Sequence, residues 1–234
     1  VCAVLLAMAV GVVDFQFSLA RDFVLPSGSI IGGDYVAFKA AAHSVADGDA
    51  AAVYDPAAFR DLMREWGPPK DDFGLTWQYP PTYFLVVLAL SAFGYLQGYL
   101  FWTGATAALY FAALRSAGFA GVFLFAVLAA PSTFQAAITG QNGFFTAALL
   151  FVVALFPDKR PILAVLAAAL LTVKPQLGLL IPVAYLAAGC WRAFFMASLG
   201  AVALVGASIF AFGSDAWAAF ADSVFGVSDS LAAG

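Results

Sequence analysis

Between Phe73 and Gly213 the only formally charged residues are Arg115, Asp158, Lys159, Arg160, Lys174 and Arg192. A stretch so long and so poor in charge cannot clothe itself in an ordinary aqueous surface. Charged residues make up 10% of the whole chain and hydrophobic ones 64%, with a mean hydropathy of +0.95, against about 25% charged in soluble domains. Lipid is therefore the expected solvent, and the chain reads as an all-α polytopic membrane protein, because spanning backbone must satisfy its own polar groups. Fifteen further charges crowd between Asp14 and Asp72, so one long polar loop interrupts the apolar chain.

A bilayer's hydrocarbon core of about 30 Å takes about 20 apolar residues per helical crossing. By that ruler the candidates are 2–19, 96–114, 119–138, 144–156 and 194–212, with shorter runs at 81–93, 162–173 and 177–188. The first run begins at Val1 without a charged leader or a small-residue cleavage site, so it reads as a crossing that lacks its natural start and not as a signal peptide.

Positive residues favour the cytoplasmic side. Lys159-Arg160 and Arg192 flank the pair 162–188 and read as cytoplasmic, which sends Lys174-Pro175-Gln176 to the far side. Counting back, Gly140-Gln141-Asn142-Gly143 is also on the far side and Arg115 is cytoplasmic, which conflicts by one crossing with an external loop after the first span. The conflict resolves if 81–93, some 13 residues and so about 20 Å of helix, enters and leaves from one side as a re-entrant segment. The rival, one long helix over 161–188 kinked at Pro175, fits the charges less well.

Within the polar loop, Tyr35, Phe38, Ala42 and Val45 recur at spacings of three and four, which predicts an amphipathic helix lying on the membrane surface. A second such helix is expected over 55–66. Asp55 is its cap, Pro56 its first residue, and Phe59, Leu62, Met63 and Trp66 form one face. Trp77 and Tyr79 are expected at headgroup depth, where paired prolines at 80 and 81 fix an extended lead into the next run.

No Lys- and Arg-rich stripe offers a footing for nucleic acid. Cys2 and Cys190 form neither a metal spacing nor a disulfide framework. Asp47-Asp49 and Asp71-Asp72 make close pairs, but spacing sets no third ligand, so no metal site is expected.

Five motifs occur in fixed order: Gly32-Gly33-Asp34-Tyr35 with Phe38, Val53-Tyr54-Asp55-Pro56, Tyr79-Pro80-Pro81, Gly140-Gln141-Asn142-Gly143 and Lys174-Pro175-Gln176-Leu177. In this ordered set the chain resembles glycosyltransferase family 87, of the C-type (GT-C) superfamily. The resemblance runs from Gly32 to the stretch Phe212-Gly213-Ser214-Asp215-Ala216-Trp217. It implies a polytopic GT-C-like helical bundle that moves a hexose, often mannose, from a polyprenyl-phosphate sugar to a lipid or glycan acceptor. The active site would face the periplasm or cell exterior from the cytoplasmic membrane. The donor is a substrate and no cofactor is implied, although some C-type relatives use a divalent cation. The partners implied are thus the bilayer, the donor and the acceptor.

The resemblance places the catalytic acid of the first external loop at Asp34. Transfer needs a base that takes the acceptor hydroxyl's proton, with inversion at the anomeric carbon implied by the family. Asp34 alternatively caps the helix that follows, and the two roles are compatible. Lys174, an ionisable residue near membrane depth, is a candidate for holding the donor phosphate; it also reads as a helix-end lysine snorkelling to headgroups. Gln141 and Asn142 could hydrogen-bond sugar hydroxyls or phosphate oxygens, or form a plain hairpin tip. Tyr79 could stack on a sugar or serve only as a membrane anchor. His43, the sole histidine, reads as headgroup-facing.

One membrane domain is expected over 1–234, truncated at both ends. It comprises a first transmembrane helix (1–24), an external amphipathic loop (25–80), the remaining transmembrane and re-entrant helices (81–213) and the start of a further external loop (214–234). Two other readings stay open. One is a transporter of a small polar solute, its helices broken at Pro81 and Lys174-Pro175, although no inverted repeat is visible and the long loop serves no carrier. The other is a non-catalytic envelope scaffold.

Overall fold

A computed structural model describes residues 7, 11, 15, 18, 20–155 and 161–232, with side chains as far as Phe225. The run 2–19 and the Lys159-Arg160 pair therefore fall largely or wholly outside the described residues. Among these, every regular element is helical, and the β-type pairings are the isolated bridges Arg21–Val24 and Val24–Ile30.

The helix Tyr35–Ala46 departs from expectation. It is buried on nearly every face, from Tyr35 through Ala42 and again at Ser44 and Val45. The predicted apolar spacing is present, but the opposite face is mostly alanine, small enough for neighbours to pack closely on all sides. The one awkward group, Lys39, is 3% exposed. Its ammonium donates to the carbonyls of Leu90 and Phe93, at the end of a helical turn where backbone oxygens lack partners and a cation is favoured. This element is a core helix and not a surface one.

The second helix, Pro56–Trp66, is amphipathic as expected, burying Phe59 and Met63. The Asp55 carboxylate accepts from the backbone N–H groups of Ala57 and Ala58, both at 2.8 Å, so Asp55 is a structural cap.

Trp77 is 3% exposed and lies within an aromatic core. It stacks on Tyr83 and Phe84 with ring centroids 5.7 and 5.6 Å apart. Phe38 meets Trp77, Tyr79, Tyr83 and Trp102 through tilted or edge contacts. Ring edges against ring faces pack without voids and add to the plain burial of area.

His43 lies flat on Trp66, ring centroids 3.4 Å apart and planes within 3°. Burial lowers its pKa, the Lys39 ammonium lowers it further, and Asp47 opposes. The unfolded chain therefore takes up the proton first. Stability is whole above the unfolded value of about 6.5 and declines as the pH falls below it, until the folded imidazole itself is protonated. His43→Phe keeps the stack, and should flatten the fall of Tm between about pH 7 and about pH 5; an unchanged slope would assign the acid sensitivity to other groups.

The segment Pro81–Ala92 is a composite of 3₁₀ turns at Pro81–Tyr83 and Leu88–Ala92 around one α-turn, Phe84–Val87. It is too short to cross a core of about 30 Å. Tyr95–Ser116 follows as a 22-residue helix packed on Gly143–Leu155. The run 119–138, expected as one crossing, is broken into Val122–Leu128 and Pro131–Thr139, bent by 49°. Pro131 supplies no N–H and starts the second piece, as proline does at a first helical position.

Pro161–Leu170 tightens to 3₁₀ at Leu171–Val173, and the chain breaks at Lys174, with φ −127° and ψ 86°. It then returns through Pro175–Gly178 and Leu180–Ala187, so that Tyr185 and Arg192 share a pocket with Pro161 and Leu166. The backbone is a hairpin with Lys174 at its tip, not one kinked helix. Trp191–Phe212 packs on Pro161–Leu170 and is long and apolar enough to cross a membrane. Its outward side chains include Phe195, Leu199, Val202 and Phe210. From 214, where a further external loop is expected to start, the chain forms the helix Ser214–Ala232, with Asp215 in its first turn. It folds back at Gly213, and the Trp217 indole N–H donates to the Ser208 hydroxyl at 3.1 Å.

Candidate active site

The loop carrying Asp34 is held by backbone pairing to the last turn of Pro131–Thr139. The Gly32 N–H donates to the Ile138 carbonyl at 2.7 Å and the Asp34 N–H to that of Thr139 at 2.8 Å. Three side chains on one stripe of Tyr95–Ser116, at spacings of four and three, pin both partners. The Tyr95 hydroxyl donates to the carbonyls of Ile31 and Gly32, the Tyr99 hydroxyl to that of Ala137 at 2.6 Å, and the Trp102 indole to that of Gly140 at 3.0 Å. Carbonyls at a helix end lack helical partners, so these bonds meet an existing need.

Gly140 is required here on two counts. Its φ of +66° is left-handed, and a Cβ would come within 2.7 Å of Tyr35 Cβ and 3.2 Å of the Tyr99 ring. The glycine thus lets the Gly140–Gly143 turn close onto the start of Tyr35–Ala46, directly beside Asp34.

Four of the five residues singled out in the sequence come together. The Asp34 carboxylate acts electrostatically on the Tyr79 phenol and on the Lys174 ammonium, and the Asn142 amide reaches toward Tyr79 and Tyr83. Packing agrees: Leu171–Val173, just before Lys174, lies against both Pro81–Tyr83 and Gly143–Leu155. Burial disfavours the charged form of Lys174, and Asp34 opposes that effect. Burial raises the pKa of Tyr79, as does the Asp34 charge, while the Asn142 amide lowers it; Tyr79 is further placed by the Tyr54 hydroxyl, which donates to its carbonyl at 2.9 Å. The Asp34 side chain makes no capping bond to the helix it precedes.

Asn142 is 0% exposed, and neither its amide oxygen nor its nitrogen completes a hydrogen bond among the described residues. The hydroxyls of Thr82 and Tyr83 are in the same state. Leaving such a group buried and unpaired costs about 1–3 kcal/mol, and the Tyr79 and Tyr83 hydroxyls are the neighbours on which the Asn142 amide acts. Gln141, by contrast, is exposed.

Two cavities border these residues. One of about 400 Å³ is walled by Asp34, Ser27, Ser29, Lys70, Gln135 and apolar side chains such as Phe73. The other, about 380 Å³ and almost wholly apolar, runs past Pro80, Thr82, Thr172, Pro175 and Leu179 to Trp217 and Phe220. Among the described residues no three His, Cys, Asp or Glu side chains converge as a metal site would need.

Thr82, Tyr83, Tyr95, Tyr99 and Trp102 were not anticipated from the sequence. Hydrogen-bonding aromatics at helical spacing within an otherwise apolar helix were the available signal for the last three, and continuation of the Tyr79-Pro80-Pro81 motif was the signal for the first two.

The family model for glycosyltransferase family 87 matches residues 77–234. Tyr79, Asn142 and Lys174 lie within that span and Asp34 precedes it. No curated protein and no solved structure matches the chain.

Proposed function

The chain belongs to glycosyltransferase family 87, and from that premise we propose that it transfers a hexose, mannose first among candidates, from a polyprenyl-phosphate sugar to a lipid or glycan acceptor. The observation that carries this reading is the meeting of Asp34, Tyr79, Asn142 and Lys174 from four separate segments between a polar and an apolar cavity.

In the proposed step the Asp34 carboxylate takes the acceptor hydroxyl's proton as that oxygen attacks the anomeric carbon. The bond from this carbon to the phosphate oxygen breaks, its electron pair leaves with polyprenyl phosphate, and the configuration inverts. Lys174 offsets the negative charge that grows on the phosphate. The Asn142 amide has one acceptor and two donors, and a sugar hydroxyl can satisfy both kinds, whereas phosphate oxygens satisfy only the nitrogen. Tyr79 flanks the sugar, and the apolar cavity beyond Pro80 takes the first isoprene units.

Members of this family are typically membrane proteins, and the outward apolar face of Trp191–Phe212 suits lipid. We place the protein in the cytoplasmic membrane as one multi-pass GT-C bundle, its site facing the periplasm or cell exterior. Proteoliposomes of the protein discriminate the functions. Label from a polyprenyl-phosphate hexose should pass into an acceptor product without net uptake of free sugar; solute accumulation without product formation would favour a transporter.

A further inference from the structure

We propose that the cavity of about 590 Å³ at the Trp191 end of Trp191–Phe212 binds an anionic phospholipid, with its phosphate on Arg192 and an acyl chain along Ile162, Leu166 and Met196. The volume lies within the range of about 300–1,000 Å³ usual for small-molecule sites.

The cavity lies far from the Asp34 cluster. At about 1.5 Å per residue, the helix Trp191–Phe212 runs about 33 Å, and Phe212 at its other end meets Phe84, with ring centroids 5.5 Å apart. Pro161 and Gly189, on the cavity wall, close the hairpin at the end opposite its Lys174 tip. A hydrocarbon core of about 30 Å therefore separates the two. The cavity faces the leaflet away from Asp34, the cytoplasmic one by the bias of positive residues.

Charge selects the class of lipid. Among the described residues, Arg192 is the one charged group on the wall, and its guanidinium has neither an ion pair nor a hydrogen bond. It stands in the first turn of its helix, where the backbone dipole disfavours a cation, so an anion relieves an existing imbalance. The residues leading into Pro161, Asp158-Lys159-Arg160, add a net positive charge to this end of the chain. A guanidinium matches a phosphodiester with two parallel hydrogen bonds, whereas the ammonium of a zwitterionic lipid finds no carboxylate on the described wall. The Tyr185 hydroxyl is already committed to the Val153 carbonyl at 3.3 Å, which leaves Arg192 to set the preference. The rest of the wall suits a chain and not a free ion. Ile162, Leu166 and Met196 are exposed apolar side chains along the cavity, and Trp191 is exposed beside Arg192, as an indole at headgroup depth would be.

Native mass spectrometry of the detergent-purified protein tests this without turnover, with phosphatidylglycerol and phosphatidylcholine of the same chains offered in equal amounts. The wild type should retain phosphatidylglycerol over phosphatidylcholine by about fivefold, the worth of one arginine at an anionic surface. Arg192→Gln, an exposed position, should bring the two lipids to parity. Ile162→Gln should weaken retention of both lipids and keep their ratio. Glycerol 3-phosphate, the headgroup without chains, should not displace the bound lipid. Equal retention by the wild type, a preference that survives Arg192→Gln, or displacement by glycerol 3-phosphate would overturn the proposal. So would a lipid-free dimer, which would give the cavity to a second copy of the chain. All of these outcomes leave the transferase reading where it stands.

Discussion

Asp34→Asn should lower kcat on the order of 10²–10⁴-fold, the range that a positioned general base contributes. Donor KM should change little, since the amide keeps the shape and still hydrogen-bonds but cannot take the acceptor's proton. The alternative role, a helix cap, predicts a different result. A lost cap would cost about 0.5–2 kcal/mol of stability, but the Asp34 side chain makes no bond to the helix N-terminus. Its backbone N–H, which the substitution leaves intact, is what joins it to Thr139. Tm should therefore stay put while turnover collapses, and a variant that unfolds but retains its activity per folded molecule would return Asp34 to a structural role.

Lys174→Met should lower kcat on the order of 10²–10³-fold, the loss seen when one electrostatic partner of a developing charge is removed. Methionine is unbranched and of similar reach, and it relieves the cost of burying an ammonium, so stability should hold or rise slightly. Because Asp34 and Lys174 act on each other, their losses should not add: the double variant should be less impaired than the product of the single effects. Strict multiplicativity would show two independent sites. Kinetics that moved only the donor KM would make Lys174 a binding residue for the ground state alone.

The sequence was most legible where punctuation marks it. Asp34, Tyr79, Asn142 and Lys174 each stand beside glycine or proline at the edge of an apolar run, and such positions end helices whatever the tertiary context. What lay inside the runs was hidden. Tyr95, Tyr99 and Trp102 look like ordinary membrane-helix aromatics until the carbonyls of Ile31, Ala137 and Gly140 are seen opposite them.

The burial of Tyr35–Ala46 was hidden because the partners of Lys39, Leu90 and Phe93, lie some fifty residues away, a distance at which periodicity carries no information. Gln141 is exposed and Asn142 buried, a difference that two neighbouring amides in a glycine-flanked turn do not reveal in sequence. Pro131 stands in the sequence where the run 119–138 breaks, but the hydropathy on both sides of it is continuous. The helix Ser214–Ala232 lies where the sequence shows only a polar stretch, and the Trp217–Ser208 bond that fastens it is not readable there.

The most direct measurement is transfer by the protein in membranes from a panel of radiolabelled polyprenyl-phosphate hexoses, with the anomeric configuration of the product determined. The expected result is label moving from one donor into a product of inverted configuration, in the wild type and not in Asp34→Asn. Transfer by both proteins at equal rates, or no transfer from any member of the panel by folded wild-type protein, would contradict it.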